Sequence, residues 1–214
     1  MDLHLIPGLG ADHRLFERCD LAPHTVHAHD WPELPAGSTM AGIARTMAER
    51  VDASRPHALI GVSLGGMVAQ EMAALTQPRK VILISSWKGP QEMPLAIRAL
   101  RGTHAERMLT PAFFKGFLPV ARWQLGVESP DEQELFAHFL AVTPLARMRV
   151  QVGAVLAWEG AKVPGLVHLH GDHDRLMPLG PIADPIVVEG GTHMMVFSKA
   201  KEVSALVRAH LNSP

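Results

Sequence analysis

The residues Gly61-Val62-Ser63-Leu64-Gly65 place a serine between two glycines, with an apolar stretch before them and an amphipathic pattern after them. The pattern predicts a strand, a tight turn and a helix. Glycine is favoured at both flanking positions because side chains there would collide with strand and helix backbone. Such a turn lifts the Ser63 hydroxyl above the sheet edge and puts the Leu64 amide at the positive end of a helix. We therefore expect a serine nucleophile, although a glycine-rich turn that only needs close packing fits the same five residues.

A carboxylate and an imidazole that suit this chemistry follow later in the chain. Asp174 comes after a predicted strand at 166–170, and His193 comes after a predicted strand at 185–188 and two glycines. Ser63, Asp174 and His193 all lie just past the carboxyl ends of predicted strands. In an open parallel sheet this is the edge where ligand sites form.

The elements that must position these residues alternate between strand and helix. Short apolar runs predict strands at 3–6, 57–62, 81–84, 166–170 and 185–188, with a weaker one at 25–28. Helical patterns separate most of them, at 11–18, from Ser38 or Thr39 to about Ala53, after Ser63, and from Val196 to Leu211. This alternation predicts an α/β fold with an open, mostly parallel sheet of about six strands and helices on both faces.

One stretch breaks the alternation. Residues 90–159 show no buried strand pattern, and they predict helices at 95–109, 111–118, 131–141 and 144–158. Seven Lys/Arg and seven Asp/Glu residues make the stretch neutral. We expect a helical insertion in one domain whose core comprises residues 1–89 and 160–214.

Four motifs taken together resemble the α/β-hydrolase superfamily, and in particular its serine esterases with a helical cap. They are Pro7-Gly8-Leu9-Gly10, the Gly61–Gly65 turn, Gly171-x-x-Asp174-x-x-x-Pro178 and Gly190-Gly191-Thr192-His193. The resemblance covers the chain outside residues 90–159, which would correspond to the cap. The antiparallel strand pair with which many members begin is not recognised here, and Pro7 stands where many members have histidine.

The resemblance implies a catalytic triad of Ser63, His193 and Asp174, with an oxyanion hole formed by the backbone N–H groups of Leu9 and Leu64. The spacing of the family's motif selects Asp174 over Asp172 as the acid. The implied activity is hydrolysis of a small carboxylic ester, thioester or lactone through an acyl-enzyme, with no cofactor and no metal. A ligand receptor without turnover and a lyase are the other functions found on this scaffold.

Three further residues are candidates for substrate binding: Trp87, His13 and Met194. His13 lies near the Pro7–Gly10 loop, and Trp87 and Met194 belong to a set of aromatic and methionine side chains that could line an apolar pocket under the insertion. For each one taken separately, core packing or an ordinary surface position is the favoured explanation.

A metal-dependent function has one sequence pattern in its favour. His168-Leu169-His170-Gly171-Asp172-His173 fits the H-x-H-x-D-H pattern of zinc hydrolases of the metallo-β-lactamase type. We expect His168 and His170 to be strand residues with satisfied ring nitrogens instead, since only about forty residues follow to supply further ligands and since a zinc site leaves the Ser63 turn unexplained.

The amino-acid composition limits which other functional classes the protein could belong to. The 214 residues are 47% apolar and 19% charged, with a formal net charge of −1, which predicts a globular protein without a strong field for nucleic acid or an anionic membrane. A single cysteine, Cys19, cannot form an internal disulfide, and the N-terminus lacks a signal-peptide pattern. We therefore expect a cytoplasmic protein with a small-molecule substrate.

Overall fold

The centre of the molecule is a sheet of six parallel strands in the spatial order β2-β1-β3-β4-β5-β6, as described by a computed structural model covering residues 1–211. The strands are β1 (Asp2–Ile6), β2 (Thr25–Ala28), β3 (His57–Val62), β4 (Lys80–Ile84), β5 (Val167–Gly171) and β6 (Ile186–Val188). The predicted sheet is confirmed, with each strand end within one residue of its expected place. Residues 212–214 of the predicted core lie outside the described part.

The sheet is covered on both faces, which explains the continuous apolar runs in its central strands. Successive residues of β3 and β4 point to opposite sides, so Ile60 and Ile82 pack into one cluster while Leu59 and Leu83 pack into the other. All four side chains are almost completely buried. Each contributes roughly 2 kcal/mol of burial free energy to holding the sheet, and thus its carboxyl edge, in place.

Within residues 1–211, eight α-helices surround the sheet. They are α1 (Met40–Ala48), α2 (Leu64–Thr76), α3 (Leu95–Ala99), α4 (Pro111–Leu125), α5 (Pro130–Val142), α6 (Leu145–Ala157), α7 (Met195–Ser198) and α8 (Ala200–Leu211), with 3-10 turns at His13–Phe16, Pro90–Glu92 and Ala105–Met108. Helices α1 and α2 cover one face, and α8 covers the other.

Several predicted helices differ from the observed ones. Helix α1 ends at Ala48, five residues early, and the predicted helix at 11–18 is only a 3-10 turn. The predicted helix at 95–109 splits into α3 and a 3-10 turn, with Gly102 at φ +74° between them. Helix α4 runs through Pro119 to a left-handed Gly126, although proline removes one backbone hydrogen bond from a helix interior. The closing helix is interrupted at Lys199.

Between β4 and β5 the chain forms only helices and turns, as predicted for residues 90–159. Helices α4 and α5 begin with side-chain caps: the Thr110 hydroxyl accepts from the Phe113 amide, and Ser129 with Glu132 forms a reciprocal capping box. The two halves of this insertion are buried differently. From Pro94 to Leu125 no residue is buried, whereas α5 and α6 bury several side chains.

No single helix among residues 1–211 is long and apolar enough to cross a membrane; α5 and α6 meet the length and composition criterion only as a pair, with a bend of 100° between them.

Candidate active site

Ser63 lies at the turn between β3 and α2, where the chain reverses sharply at the carboxyl edge of the sheet. Its backbone has φ 54° and ψ −122°, a conformation that an L-residue adopts only under constraint and at a cost of roughly 1–3 kcal/mol. The Ser63 carbonyl accepts from the Gly66 amide at 2.9 Å and from the Ser86 hydroxyl at 2.7 Å. The Ser63 side chain makes no cap bond to α2, so the hydroxyl is not committed to the helix terminus.

The flanking glycines are required by close backbone contacts, as the sequence predicts. A Cβ on Gly61 would lie 2.2 Å from the Gly65 carbonyl oxygen, and a Cβ on Gly65 would lie 2.1 Å from the carbonyl oxygen of Ile6. Neither obstacle is a flexible side chain that could move aside. The turn therefore packs β3, α2 and the end of β1 against one another with no space for a side chain.

Asp174 and His193 are brought together by two loops at the same edge. Gly171 and Gly191 touch through their backbones, since a Cβ on Gly171 would lie 2.0 Å from the Gly191 oxygen. This contact brings the loop after β5 against the loop after β6. His193 Nδ1 lies 2.8 Å from Asp174 Oδ2, and both side chains are buried. An imidazole N–H donating to a buried carboxylate fixes one tautomer and leaves Nε2 available as a base.

The other oxygen of Asp174 is also occupied. Oδ1 accepts from the backbone amides of Leu176 at 3.1 Å and Met177 at 2.8 Å. Burial raises the pKa of Asp174, but the charge of His193, its hydrogen bond and the Met177 amide outweigh burial and hold the pKa below its usual value. Asp174 is therefore an ionised carboxylate at neutral pH.

A pair of buried histidines lies behind this carboxylate. His170 Nε2 is 2.7 Å from the Met177 carbonyl, which can only accept, so Nε2 carries the proton. Burial lowers the pKa of His170, and the neutral ring therefore accepts at Nδ1 from His168 Nε2, 3.2 Å away. Burial, together with the nearby charges of His170 and Lys88, lowers the pKa of His168 to about 3. The two neutral rings brace the loop that carries Asp174.

The expected oxyanion loop follows β1 and lies directly beside Ser63. A Cβ on Gly8 would approach Ser63 Cβ at 3.4 Å and the Ser63 hydroxyl oxygen at 4.0 Å. The Gly8 carbonyl accepts from Trp31 Nε1 at 3.0 Å, which fixes the loop from the side of the sheet. Leu9 comes next in this loop and its side chain is partly exposed, whereas Leu64 is buried at the start of α2.

The insertion holds the same loop through two contacts that sequence reasoning missed. The Gly10 amide donates to Gln151 Oε1 at 3.2 Å, and the Thr143 hydroxyl donates to the Gly10 carbonyl at 2.8 Å. Gly10 has φ +73°, so glycine is favoured at this point of the loop. Gln151 and Thr143 are buried, but nothing in their local sequence identifies them, because they are more than 130 residues from Gly10.

The three residues predicted to bind substrate lie in different surroundings. Trp87 is buried in the core cluster on the α2 face, and its carbonyl accepts from Gln70 Nε2 at 2.9 Å. Met194 is buried next to His193 at the start of α7. His13 is half exposed and pairs with Asp30 at 2.8 Å, so its ring is held towards the surface. A role in substrate binding stays a prediction for all three.

The possible zinc ligands are engaged in other contacts. His168 and His170 are buried and bonded to each other, and Asp172 accepts from the Gly190 amide at 2.6 Å. His168 Nδ1 has no hydrogen-bond partner within residues 1–211, so the expectation of fully satisfied ring nitrogens is wrong for this atom. In that described range, the group of His, Asp or Glu side chains whose donor atoms converge is Asp12, His13 and Asp30.

Solved structures with the same architecture include three hydrolytic enzymes. A thermophilic esterase from Thermogutta terrifontis matches with a TM-score of 0.76 and 18% identity, covering 99% of this chain and 89% of that one. A hydrolase from Pseudomonas aeruginosa matches at 0.74 and 19%, covering 99% and 90%. The type II thioesterase YbtT of the yersiniabactin pathway matches at 0.64 and 20%, covering 98% and 92%. These identities show a shared fold.

A search of curated protein sequences finds no match to the chain. A family model does match: the model described as the alpha/beta hydrolase family aligns with residues 5–206. That range includes the Pro7–Gly10 loop, Ser63, Asp174 and His193, together with the insertion. The protein therefore belongs to the alpha/beta hydrolase family.

Proposed function

We propose that this protein is a serine hydrolase that cleaves a small carboxylic ester, with thioesters and lactones as chemically equivalent acyl substrates. The observation that carries the proposal is the 2.8 Å contact between His193 Nδ1 and Asp174 Oδ2, both buried at the sheet edge that also presents Ser63 on its strained turn. A nucleophile, a base and an orienting acid are the three groups that acyl transfer requires.

In the first half of the reaction the Ser63 oxygen attacks the carbonyl carbon of the ester. His193 Nε2 accepts the hydroxyl proton as the bond forms, and the ionised Asp174 stabilises the resulting imidazolium. Collapse of the tetrahedral intermediate breaks the bond to the alcohol oxygen, which takes the proton from His193 as it leaves. The product of this half is an acyl-enzyme on Ser63.

In the second half, water replaces the alcohol. His193 removes a proton from the water as its oxygen attacks the acyl carbon, and returns the proton to Ser63 as the acid product is released. Negative charge develops on the carbonyl oxygen in both halves. The amides of Leu64, at the start of α2, and Leu9, in the loop beside Ser63, are the proposed donors, and removing one donor of this kind costs about 3–4 kcal/mol in the barrier.

The insertion at 90–159 is proposed to act as the cap that selects the substrate. Two of its residues, Gln151 and Thr143, already form hydrogen bonds to Gly10 in the loop beside Ser63. Trp87, Met194 and His13 are proposed as substrate contacts at the site.

The experiment combines active-site labelling with turnover. The purified protein is treated with a fluorophosphonate probe, and p-nitrophenyl esters of several acyl lengths are assayed with and without EDTA. We expect labelling on Ser63 and turnover that EDTA does not change. Ser63→Ala should lose labelling and lower kcat at least about 10⁴-fold.

Ser86→Ala is the matched control. It removes another serine hydroxyl at the same sheet edge, but the lost contact is to the Ser63 backbone, so labelling should persist. Turnover that survives Ser63→Ala refutes the triad, and turnover abolished by EDTA favours a metal site. Absence of labelling and turnover across all esters favours a ligand receptor.

A further inference from the structure

We propose that the outer face of α4, formed by Phe113, Phe117, Val120 and Trp123, docks on an anionic lipid surface. This interaction is separate from the chemistry at Ser63. It rests on the exposure of these side chains, their arrangement on one helix, and the distribution of charge along the insertion.

The exposure is unusual for apolar side chains of this size. Trp123 is 61% exposed and Phe113 47% exposed, with Phe117 and Val120 also exposed. Phe113 and Phe117 stack with ring centroids 5.9 Å apart, so they form one continuous apolar surface. Contiguous exposed apolar patches on soluble domains mark interaction sites.

The helix has a second face that is already used. Leu118 and Leu125 are partly buried and pack against the core cluster on the α8 side of the sheet. At 100° per residue, Phe113, Phe117 and Val120 fall on one stripe, and Leu118 and Leu125 fall about a third of a turn or more away from it. The exposed stripe is therefore not the face that seats α4 on the core.

The distribution of charge in the insertion indicates which kind of partner binds the outer face of α4. Residues 95–125 hold five of the 20 Lys/Arg residues but only Glu106 of the 21 Asp/Glu, so this segment carries +4 while the rest of the chain carries −5. The insertion is neutral in total because the positive charge of its first half and the negative charge of its second half cancel. On α4 itself, Lys115 and Arg122 are seven residues apart and so share a side of the helix, on the far side of Trp123 from Phe113, Phe117 and Val120. Neither forms an ion pair with another residue in the described part of the chain.

A helix that exposes Trp123 between Phe rings on one side and Lys and Arg on the other is suited to lie in the plane of a membrane interface. The indole of Trp123 favours the headgroup level, and the cations beside it favour anionic headgroups. Arg175 lies over the same indole, with its guanidinium 5.3 Å from the Trp123 ring centroid, and it also pairs with Glu128 at 3.5 Å. The formal net charge of −1 conceals this local arrangement.

The fluorescence of Trp123 can be used to test vesicle binding. Trp31, Trp87 and Trp158 are buried, so a change in tryptophan emission on adding vesicles reports Trp123. We expect a blue shift and co-sedimentation with mixed phosphatidylcholine–phosphatidylglycerol vesicles, and neither with pure phosphatidylcholine vesicles. Raising the salt concentration should weaken binding.

Two variants and one control define the surface. Phe113→Ser with Phe117→Ser, and separately Lys115→Glu with Arg122→Glu, should each lower vesicle affinity at least about tenfold. Leu75→Ser removes an equally exposed apolar side chain from α2 and should leave binding unchanged. Thermal unfolding confirms that each variant is folded.

Three results would overturn the proposal. One is an unchanged emission spectrum with no sedimentation on anionic vesicles. Another is equal binding by the wild type and both double variants. The third is a concentration-dependent dimer in light scattering that shows the Trp123 shift without lipid, since this would assign the surface to a second copy. Ester hydrolysis is not the readout, so failure here leaves the proposed triad untouched.

Discussion

Strand β4 and helix α4 are both rich in apolar residues, yet they are used in opposite ways. Val81, Ile82, Leu83 and Ile84 are each at most 3% exposed, whereas α4 has no buried residue. The strand is enclosed by helices on both faces, while the helix has the core on one side only. Apolar composition alone therefore does not distinguish a segment that builds the site from one that faces outwards.

This difference in burial corresponds to different roles of the sheet and the insertion. The sheet holds Ser63, Asp174 and His193 in place through backbone contacts too close for a side chain, as at Gly65 and Gly171. The insertion meets this apparatus at Gly10, at Arg175, which donates to the Trp123 carbonyl at 3.1 Å, and at Thr192, which lies against Gly126, while the outer faces of α3 and α4 are exposed. Changes in the sheet should therefore affect catalysis and stability strongly, and matched changes in α3 and α4 should affect them little.

The largest effect is expected at the acid of the triad. Asp174→Asn keeps the side-chain shape but removes the charge that fixes the His193 tautomer, so kcat should fall by about 10⁴-fold. Asp172→Asn is the matched control, because Asp172 is exposed and, among residues 1–211, accepts only from the Gly190 amide. A larger loss for Asp172→Asn than for Asp174→Asn in the ester assay would reverse the assignment of the acid.

The second-largest effect is expected from a methyl group added at the Ser63 turn. Gly65→Ala would place a carbon 2.1 Å from the Ile6 oxygen, where no side chain can yield, and should destabilise the fold by about 3 kcal/mol or more. Gly116→Ala, in the middle of α4, meets no atom within 4 Å and should stabilise by up to about 1 kcal/mol. Urea unfolding of both variants measures this contrast, and equal shifts would contradict it.

Leucine truncation gives a third comparison. Leu83→Ala empties a completely buried position in β4 and should cost about 3 kcal/mol of unfolding free energy. Leu95→Ala removes a side chain that is 74% exposed in α3 and should change stability by less than about 0.5 kcal/mol. If Leu95→Ala costs as much as Leu83→Ala in chemical denaturation, the first half of the insertion is packed and not open.

The smallest effect concerns pH. Burial and the charges of neighbouring histidines lower the pKa of His4 in β1 to about 4, and burial with the charge of Arg50 lowers that of His29 to about 4. Both are neutral in the folded protein but titrate near 6.5 when unfolded, so the unfolded chain binds more protons between these values. Stability should therefore fall as pH drops from about 6.5 to about 4.

His4→Phe removes one of these titrating groups while keeping a ring beside His27 and His29. The loss in Tm between neutral pH and pH about 4.5 should shrink by about 4 °C relative to wild type. Because His168 is also held neutral, part of the pH dependence should remain. A steeper loss in the variant, measured by calorimetry, would contradict the assignment.

The sheet was predictable from the sequence because each strand is a short local run bounded by turn residues. The residues proposed for the triad could be selected for a similar reason: each follows a strand end, and glycines mark the close contacts around Ser63 and before His193. The choice of Asp174 over Asp172 came from the spacing of the family motif. No local pattern shows which carboxylate reaches His193.

Other features of the structure could not be predicted, because they depend on contacts between residues that are distant in the sequence. The bonds from Gln151 and Thr143 to Gly10 join residues that helix and strand periodicity cannot relate. The exposed face of α4 was also hidden, because its spacing of Phe and Val equals that of a buried amphipathic helix. The charge of the insertion was counted as a total, and the total conceals the difference between its halves.

The two bonds at Gly10 also bear on the order in which the proposed site is assembled during synthesis. The loop at 7–10 leaves the ribosome about 140 residues before its supports at 143 and 151. At typical elongation rates this delay is roughly 10–30 s. The loop thus lacks these supports until the second half of the insertion is made, and the nascent chain carries Ser63 well before His193, its proposed base, has been synthesised.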